Sequence, residues 1–500
     1  MTALGSSPVS HAYPGLPPAP PPSTPVVATA LVLFREGPDG REVLLVRRGA
    51  ERRFAGGFHA FPGGRLDPED AQVPVVGAAG EDAALVACAT RELFEETGVL
   101  LARGAARVGA EDRAQGRTAL LDGALGWEAF LATHRLALDA ALLAPAGRWI
   151  TPEHLPLRYD ARLFLAPLPD GERAEIWPGE LSGGGFLPVR RALARWEKGE
   201  LLFFPPNLHA VRVLAAAGAP SLELLRVPPE RARRIEFQAG FVMAALRSPT
   251  LPPATHTNAW IVPADGGVAV VDPGAPERGE QERLFAMLDA LAAEGRPVRE
   301  VWLTHVHGDH VGAAAAVADR HGVRVRAHAL ARGRVPGVEV APLREGDLAG
   351  GRFRVLETPG HAREHLAFLD EDSGALLCGD LVSTLSTIVI DPPEGDMAEY
   401  ERQLERMRML APRTLFPAHG PPAPDAPVRL AGYLAHRRER EALVVAALRP
   451  GGTLEEITVR AYEDVPAAAH PIAARSCLAV LEKLVARGRA RVHDGRFEAA

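Results

Sequence analysis

Four potential metal ligands lie within one short segment of the 500-residue sequence. Residues 304–310 read Thr-His-Val-His-Gly-Asp-His, so His305, His307, Asp309 and His310 supply three imidazoles and one carboxylate. Nitrogen and oxygen donors without a thiolate suit Zn²⁺ and also accept Fe or Mn. Histidines do occur in ordinary surface loops, but four ligand-type residues at this density predict a metal site.

The elements around this segment predict how its ligands are positioned. The apolar run 301–303 predicts a short buried strand, and the small residues at 313–317 predict the start of a helix. Loops at the carboxyl ends of strands are where α/β proteins commonly bind ligands. Two metals need more ligands than one loop provides, and three further ligand types follow strand-like runs beside Gly or Pro: His361, Asp380 and His419.

This series, HxHxDH followed by His, Asp and His, resembles the hydrolase branch of the metallo-β-lactamase fold, in its glyoxalase II-like and endoribonuclease-like forms. The resemblance covers residues 235–435 and implies an αββα sandwich with two Zn²⁺ ions, or Fe or Mn in their place. The ligands it implies are His305, His307 and His361 for one metal, Asp309, His310 and His419 for the other, and Asp380 as the bridge. It also implies a catalytic role for Asp309 in orienting the attacking water, with His365 standing behind the site.

A second cluster of carboxylates lies near the start of the chain. Residues 91–99 read Arg-Glu-Leu-Phe-Glu-Glu-Thr-Gly-Val after a helix-forming segment. On a helix, Glu92, Glu95 and Glu96 share one face, and Arg91 lies one turn before Glu95. A solvated acidic face with an ion pair is the alternative interpretation. The glycines upstream, in Phe61-Pro62-Gly63-Gly64, favour a functional site.

Together with Glu69, these segments resemble the Nudix box, a motif of enzymes that cleave a diphosphate joined to another group. The resemblance implies Mg²⁺ or Mn²⁺ bound by Glu92, Glu95 and Glu96, of which Glu95 and Glu96 are expected to be catalytic. It also implies a structural or substrate-binding role in the box for Gly63, Gly64 and Arg91, with Glu69 as an auxiliary residue. The interval between Glu69 and Arg91, residues 70–90, is longer than is usual in the motif. The coenzyme A diphosphatase-like branch of the family has such an insertion. This branch is also resembled by segments 149–152, 158–164 and 204–207.

Bulk properties place limits on the function. A net charge of -7 gives no signature of polyanion binding. Cys88, Cys378 and Cys477 are far apart, which favours a reducing compartment. The sequence has no apolar run long enough for a transmembrane helix, and its Pro-rich start does not resemble a signal peptide. We therefore expect a cytoplasmic protein that does not bind membranes.

The order of the patterns predicts a multidomain protein of the α/β and α+β classes. We expect a disordered tail at 1–24, a Nudix α/β/α domain at 25–218 and a linker at 219–234. The metallo-β-lactamase-fold domain follows at 235–435. At 436–500, a capping box at Thr453, a helix at 474–487 and a hairpin at 488–497 predict a winged helix.

The expected function is that of a metal-dependent hydrolase with two sites. The Nudix site is expected to cleave coenzyme A, an acyl derivative or another nucleoside diphosphate compound. The second site is expected to cleave a thioester or single-stranded RNA. Residues 437–500 hold 11 Lys or Arg against 9 Asp or Glu, a weak basic excess, so we do not expect sequence-specific DNA binding. The alternative is a nucleotide-sensing regulator that binds nucleic acid through its winged helix and turns nothing over.

Overall fold

The computed structural model describes residues 21–49, 56–177, 181–216, 218–229 and 234–500. The described chain forms two compact units, which we call the N-terminal unit (Pro22–Ala239) and the C-terminal unit (Gly240–Ala500). Most of the tail predicted at 1–24 lies outside the described residues. Within the described ranges, no helix combines the length and the apolar character needed to span a membrane.

The N-terminal unit is a mixed α/β domain. Its strands are β1 (Val26–Gly37), β2 (Gly40–Arg48), β3 (His59–Ala60), β4 (Val75–Val76), β5 (Leu138–Asp139), β6 (Ala144–Ile150), β7 (Tyr159–Pro167), β8 (Leu181–Pro188) and β9 (Ile235–Gln238). Its helices are α1 (Gly80–Thr97), α2 (Ala110–Leu121), α3 (Trp127–Thr133), α4 (Val189–Glu197), α5 (Pro205–Ala215) and α6 (Leu222–Arg226). The main sheet runs β3-β2-β1-β7-β6, and β8 also pairs with β2.

Helix α1 carries the predicted carboxylate cluster and is buried on two sides. One side, with Leu93, packs on sheet residues such as Leu31. The other side, with Phe94, stacks against Trp127 of α3. The helix ends as predicted at Gly98, whose φ of 71° lies in the left-handed region that glycine tolerates. With two sides buried in apolar cores, the acidic residues are confined to the remaining face.

The segment predicted as a linker is partly folded. Within 219–234 the structure forms α6, and Leu225 of this helix is buried in the core of the N-terminal unit. Arg226 donates from Nε to the carbonyl oxygen of Pro145 at 2.7 Å. The boundary between the two units falls after Ala239, because the chain up to that residue packs with the N-terminal unit.

The C-terminal unit contains two sheets and a small helical domain. Its strands are β10 (Phe241–Arg247), β11 (His256–Ala264), β12 (Gly267–Val271), β13 (Val298–Trp302), β14 (Arg324–His328), β15 (Val340–Leu343), β16 (Leu348–Ala349), β17 (Phe353–Glu357), β18 (Leu366–Asp370), β19 (Ala375–Gly379), β20 (Thr414–Pro417), β21 (Ala423–Pro424), β22 (Ala490–His493) and β23 (Arg496–Ala499). Its helices are α7 (Arg278–Ala293), α8 (Gly308–Val311), α9 (Ala314–His321), α10 (Met397–Leu410), α11 (Ala426–Ala447), α12 (Leu454–Ala461) and α13 (His470–Ala486).

The two larger sheets pack face to face, as the predicted αββα sandwich requires. Strands β10–β15 belong to one sheet and β16–β21 to the other. Aromatic rings fill the space between them: Trp302 on β13 stacks on Phe368 of β18 with ring centroids 5.2 Å apart. Phe241 on β10 contacts Phe416 of β20 at 4.7 Å. Helices α7 and α9 cover the first sheet, and α10 and α11 cover the second.

The last part of the chain has the predicted winged-helix pattern. Helix α11 leads into α12, which begins with the predicted capping box: Thr453 accepts from the backbone of Glu456, and the Glu456 carboxylate accepts from the backbone of Thr453. Helix α13 and the hairpin β22–β23 follow. The predicted multidomain α/β and α+β class is therefore confirmed.

Candidate metal centres

The seven predicted ligands of the C-terminal unit come from the carboxyl ends of neighbouring strands. The loop after β13 supplies the first four, and β17, β19 and β20 are followed by His361, Asp380 and His419. Both sheets contribute, so the ligands meet at one edge of the sandwich. The structure brings all seven together: His305, His307, Asp309, His310, His361, Asp380 and His419.

Three imidazoles converge at one side of this edge. The His305 Nε2 atom lies 2.9 Å from the Nδ1 atom of His307. The same Nδ1 atom lies 3.0 Å from Nε2 of His361. Three ring nitrogens that face one point at these separations match the donor set of a single transition-metal ion.

Two carboxylates and two imidazoles form the other side. Nε2 of His419 lies 3.4 Å from Asp309 Oδ2 and 3.3 Å from Asp380 Oδ1. Nε2 of His310 lies 3.7 Å from the same Oδ1 atom, and the second oxygen of Asp380 lies 3.6 Å from Nε2 of His361. Asp380 therefore presents one oxygen to each group of ligands, which is the geometry that a bridging carboxylate needs.

The outward-facing ring nitrogens have acceptors that fix the orientation of each imidazole. His361 Nδ1 lies 2.9 Å from the carbonyl oxygen of Val389, and His419 Nδ1 lies 3.1 Å from that of His256. His307 faces Glu394, with 3.5 Å between Nε2 and Oε2. A hydrogen bond on one nitrogen sets the tautomer and aims the other nitrogen at the metal.

Asp272 is a site residue that is not among those predicted. It follows β12, and its two oxygens accept hydrogen bonds from the backbone and hydroxyl of Thr304 at 2.8 and 2.7 Å. It also lies 2.9 Å from Nδ1 of His310. The buried hydroxyl of Thr304 in turn accepts from His305 Nδ1 at 3.0 Å. Asp272 therefore orients two ligands, and its position at a strand end next to the ligand loop is the signal in the sequence.

His365 lies behind the cluster, as predicted. Its Nδ1 atom is 2.7 Å from the hydroxyl of Thr358, and its Nε2 atom accepts from the backbone N–H of Asp380 at 3.1 Å. Burial lowers the pKa of His365 to about 3, so the ring stays neutral. His365 therefore positions the segment that carries the Asp380 carboxylate, and its own Nε2 atom is occupied by the hydrogen bond from Asp380 rather than by a metal.

The electrostatics of the cluster fit a pair of cations. Burial opposes a charge on His419, but Asp380 and Asp309 outweigh it and raise the pKa of this ring to about 10. Burial also raises the pKa of the Asp380 carboxyl, yet His419 and His310 hold it well below its usual value. The carboxylates thus demand compensating positive charge in a buried site. His310 Nε2 and Asp380 Oδ1 are buried without a hydrogen-bond partner among the described residues, as expected of atoms that bind metal.

In the N-terminal unit, the predicted carboxylates lie around Arg91. The guanidinium of Arg91 donates to Glu92 at 2.9 Å and to Glu95 at 3.3 Å. Glu96 accepts from the backbone N–H of Gly63 at 3.1 Å. Burial raises the pKa of Glu92 to about 7 despite the nearby Arg91, and burial also raises the pKa of Glu95. Half-buried carboxylates crowded in this way suit a hard divalent cation such as Mg²⁺ or Mn²⁺.

The assignment of Glu69 as the auxiliary carboxylate needs correction. Glu69 is exposed and points toward Gly126. Its neighbour Asp70 is buried and accepts from Arg91 Nε at 2.9 Å and Nη2 at 3.0 Å. The motif requires an acidic residue six positions after a glycine, and two pairs of residues satisfy this spacing: Gly63 with Glu69, and Gly64 with Asp70. The sequence alone therefore does not decide which of the two acidic residues belongs to the motif.

The two glycines are required by close packing. A Cβ atom on Gly63 would lie 2.1 Å from the carbonyl oxygen of Thr29, and its φ of 156° is rare for other residues. A Cβ atom on Gly64 would lie 2.3 Å from the carboxylate of Glu92. Gly63 and Gly64 therefore allow the backbone to pass directly beside the acidic face of α1.

The histidine-rich cluster opens into a cavity of about 660 Å³. His307 and Asp380 line its inner end, and Leu251 of the β10–β11 loop lines one wall. The winged helix supplies another wall through Val465, Ile472 and neighbouring residues. The winged helix thus forms part of the space in which a substrate would meet the metal ligands.

Comparison with known proteins identifies the family of each part. Residues 24–168 match the NUDIX domain, residues 252–419 the metallo-beta-lactamase superfamily, and residues 453–497 the beta-lactamase associated winged helix domain.

Individual relatives match part of the chain. The chain is 26% identical over 240 residues to a "Beta-lactamase-like protein 2 homolog" of Caenorhabditis elegans, covering 46% of this chain and 79% of that protein. It is 37% identical over 161 residues to a "Hydroxyacylglutathione hydrolase" of Methylococcus capsulatus, covering 31% of this chain and 59% of that protein. It is 29% identical over 221 residues to an "Atrochrysone carboxyl ACP thioesterase" of Aspergillus aculeatus, covering 42% of this chain and 67% of that protein. The chain is therefore a hydrolase whose successive parts match the NUDIX domain, the metallo-beta-lactamase superfamily and the beta-lactamase associated winged helix domain.

Proposed function

We propose that the C-terminal unit hydrolyses acyl thioesters and that the N-terminal unit cleaves the diphosphate of the same class of compound, coenzyme A and its acyl derivatives. The observation that carries the proposal is the cavity at the histidine-rich cluster. Its walls include Leu251, Ile388, Val389, Val465 and Ile472. Apolar walls around a few polar groups are typical of sites for small molecules with hydrocarbon parts.

The charges in the cavity favour a thioester over an RNA strand. Of its arginines, Arg440 forms an ion pair with Asp464 and Arg475 forms one with Asp391, so neither is a free phosphate contact. The exposed arginines of the wing begin at Arg487, eleven residues after Ser476, the last residue of α13 that lines the cavity. At 1.5 Å per residue this separation is roughly 16 Å, too far for Arg487 to act at the scissile bond.

RNA remains the second candidate because a winged helix flanks the site. Arg487 and Arg491 are exposed on or beside the wing, where they are accessible to a phosphate backbone. A strand bound there would have to continue along α13 to reach the cluster. The experiment below therefore tests both substrates on the same preparation.

The chemistry of the C-terminal site follows from its residues. In thioester hydrolysis, the oxygen of water adds to the carbonyl carbon, the carbon–sulfur bond breaks, and a carboxylate, a thiol and a proton are released. His305, His307, His361, Asp309, His310, His419 and Asp380 would hold two metal ions, for which we propose Zn²⁺, or Fe or Mn. Metal ions at such a site lower the pKa of water and polarise the carbonyl. Asp309, at the inner end of the cavity, is the group we propose to orient the attacking water.

The N-terminal site would act on the phosphorus–oxygen bond. Water adds to one phosphorus of the diphosphate, the bridging P–O bond breaks, and coenzyme A yields 3′,5′-ADP and 4′-phosphopantetheine. We propose that Glu92, Glu95 and Glu96 bind Mg²⁺ or Mn²⁺, with Glu95 and Glu96 nearest to the reaction. Arg91 keeps the first two carboxylates in place through its hydrogen bonds.

The name of one relative supports the thioester assignment, since the protein from Aspergillus aculeatus is described as a thioesterase.

We also retain, as a proposal, the predicted extents of the NUDIX and metallo-β-lactamase-fold domains, 25–218 and 235–435. The N-terminal unit continues beyond the first of these through α6 and β9.

Product analysis by mass spectrometry tests the proposal. The full chain is incubated separately with acetyl-CoA and with single-stranded RNA in the presence of Mg²⁺ and Zn²⁺, beside the Glu95→Gln and His307→Ala variants. We expect 3′,5′-ADP from acetyl-CoA, absent with Glu95→Gln, and free thiol, absent with His307→Ala. RNA cleavage lost in His307→Ala would assign a ribonuclease instead. Duplex binding without turnover of either substrate would favour a regulator.

A further inference from the structure

One buried cation in the cavity has no carboxylate partner. Arg437 of α11 lines the cavity and is only 4% exposed. Its guanidinium donates from Nη2 to the carbonyl oxygen of Ile388 and lies over the ring of Tyr400, 5.2 Å from its centroid. Its Nε atom is buried and has no hydrogen-bond partner in the described part of the chain. Among the residues that the structure describes, no carboxylate oxygen lies within ion-pair distance of it.

The other two arginines of the cavity differ in this respect. Arg440 is 2.8 Å from one oxygen of Asp464 through Nη1, and Arg475 is 2.6 Å from Asp391 through Nε. Both are more exposed than Arg437. The residue with the greatest need for a counter-charge is therefore the one that lacks it.

The carboxylates that line the cavity are already committed elsewhere. Asp391 is held by Arg475, and Glu394 by Arg334 at 2.8 Å. Asp309 and Asp380 belong to the histidine-rich cluster. No acidic side chain of the cavity is left to neutralise Arg437.

A buried guanidinium without a counter-charge is costly, because hydrogen bonds to carbonyl groups replace only part of its hydration. His436, the preceding residue, also lines the cavity, and its Nδ1 atom is buried without a hydrogen-bond partner among the described residues. Burial lowers the pKa of His436, and the charges of Arg437 and Arg440 lower it further.

We propose that Arg437 is a specificity-determining residue that binds an anionic group of the substrate, a carboxylate or a phosphate. The inference rests on the thioester hydrolysis proposed above and narrows its substrate to thioesters with a second, negatively charged group.

The position of Arg437 sets the distance between the thioester and the anionic group of such a substrate. Arg437 donates to the carbonyl oxygen of Ile388, and the metal ligand His361 contacts that of the next residue, Val389. Since consecutive Cα atoms are about 3.8 Å apart, the guanidinium lies on the order of 10 Å from the metal-facing nitrogen of His361. An acyl chain of about six carbons with a terminal carboxylate spans this interval.

The test compares two six-carbon thioesters, adipyl-CoA and hexanoyl-CoA, on the same enzyme. The ratio of their kcat/KM values is measured for the unaltered protein, Arg437→Met, Arg437→Lys and the control Arg320→Met, which removes an arginine that pairs with Asp289 outside the cavity. Because a hydrogen bond to a charged group contributes about 1.5–3 kcal/mol, we expect Arg437→Met to lower the adipyl-to-hexanoyl ratio by about 10- to 100-fold, mainly through KM. Arg437→Lys should retain most of the preference, and Arg320→Met should leave the ratio unchanged.

A second arm locates the anion. The same acyl groups are presented on N-acetylcysteamine, which has no phosphate. If Arg437→Met lowers the ratio of acyl-CoA to acyl-N-acetylcysteamine rates and not the adipyl-to-hexanoyl ratio, the bound anion is a phosphate of the carrier, and the anion site stands. If Arg437→Met slows all substrates equally, the residue is structural and the proposal is overturned.

The failure of the proposed function has a different signature. If the unaltered protein cleaves no thioester, adipate binding is measured by calorimetry on the unaltered protein and on Arg437→Met. Binding that the variant loses keeps the anion site although thioester hydrolysis fails. Equal binding, or none, by both proteins removes the anion site as well.

Discussion

The two metal sites of this molecule are organised in different ways. In the C-terminal unit, the atoms within each of three groups of candidate ligands lie within 4.8 Å of one another. The imidazoles of His305, His310, His361 and His419 each have a hydrogen-bond acceptor on the outer nitrogen. In the N-terminal unit, Glu92 and Glu95 are held by Arg91, and the described residues there form no group of this kind. An imidazole can be fixed through one nitrogen while the other nitrogen faces the metal. Neighbouring glutamates repel each other, so a cation such as Arg91 is needed to hold them close together.

The two sites also carry their excess charge differently. Among the histidines and aspartates, the imidazole of His419 has a pKa raised to about 10 by Asp380 and Asp309 against the effect of burial. Among the glutamates, burial raises the pKa of Glu92 to about 7 despite Arg91. In one site the carboxylates act on a neighbouring imidazole, and in the other they lie beside an arginine. We therefore expect the C-terminal site to be sensitive to the loss of any orienting contact and the N-terminal site to be sensitive to the loss of Arg91 or its partner.

The largest effect is expected from removing a ligand of the preformed site. His307→Ala deletes the ring whose Nδ1 faces both His305 and His361, so we expect metal content in the C-terminal unit to fall and thiol release to drop by more than about 100-fold. Metal analysis and a thiol assay measure both, with exposed His493→Ala as the control. Diphosphate cleavage should continue. Loss of both activities together would show that the two sites are not independent.

Substitutions at Glu69 and Asp70 test which of these two carboxylates pairs with Arg91. Asp70→Asn removes the most buried of the carboxylates that pair with Arg91, and the guanidinium keeps its contacts with Glu92 and Glu95. We therefore expect the N-terminal unit to lose about 2 kcal/mol of unfolding free energy and most of its diphosphatase activity. Glu69→Gln, at an exposed position, should change neither. Denaturant unfolding and 3′,5′-ADP release give the two readouts. A stronger effect of Glu69→Gln would reverse the assignment made from the structure.

An orienting contact of the preformed site should have an intermediate effect. Asp272→Asn keeps a residue that tolerates the φ of 50° at this position, but it no longer offers two charged oxygens to Thr304 and His310. We expect metal affinity to fall by about 10- to 100-fold while the fold is kept. Competition with a chelator measures the affinity, and circular dichroism checks the fold. An unchanged dissociation constant would mean that Asp272 does not orient the ligand.

The smallest effect concerns a half-buried histidine of the N-terminal unit that lies outside the carboxylate cluster. Burial, then Arg47 and Arg195, lower the pKa of His59 to about 4. The folded pKa lies below the unfolded value of 6.5, so the ring favours folding above pH 6.5, and this stability is lost as the pH falls towards 4. We expect His59→Gln to reduce the loss of unfolding free energy between pH 7 and pH 4.5 by about 2 kcal/mol. The same acid sensitivity in both proteins would contradict this role.

Several elements follow directly from local sequence patterns. The ligand segment 304–310, the box helix α1 with its Gly98 end and the capping box at Thr453 all depend on residues within one or two turns of each other. The seven candidate ligands of the C-terminal unit could be named because ligand-type residues after short apolar runs complete a series that resembles that of the metallo-β-lactamase fold. The segment at 219–234 was harder to predict, since α6 is short and is stabilised by contacts such as that of Leu225 with the distant core.

The sequence by itself determined which residue types could bind metal and in which of three domains they lie, because spacing and periodicity are local properties of the chain. Only the tertiary structure decided that Asp70 rather than Glu69 pairs with Arg91, and that Asp380 presents one oxygen to each group of ligands. It also decided that Arg437 is buried in a cavity wall without a carboxylate partner among the described residues. These outcomes depend on the packing of segments far apart in the chain, which no local pattern encodes.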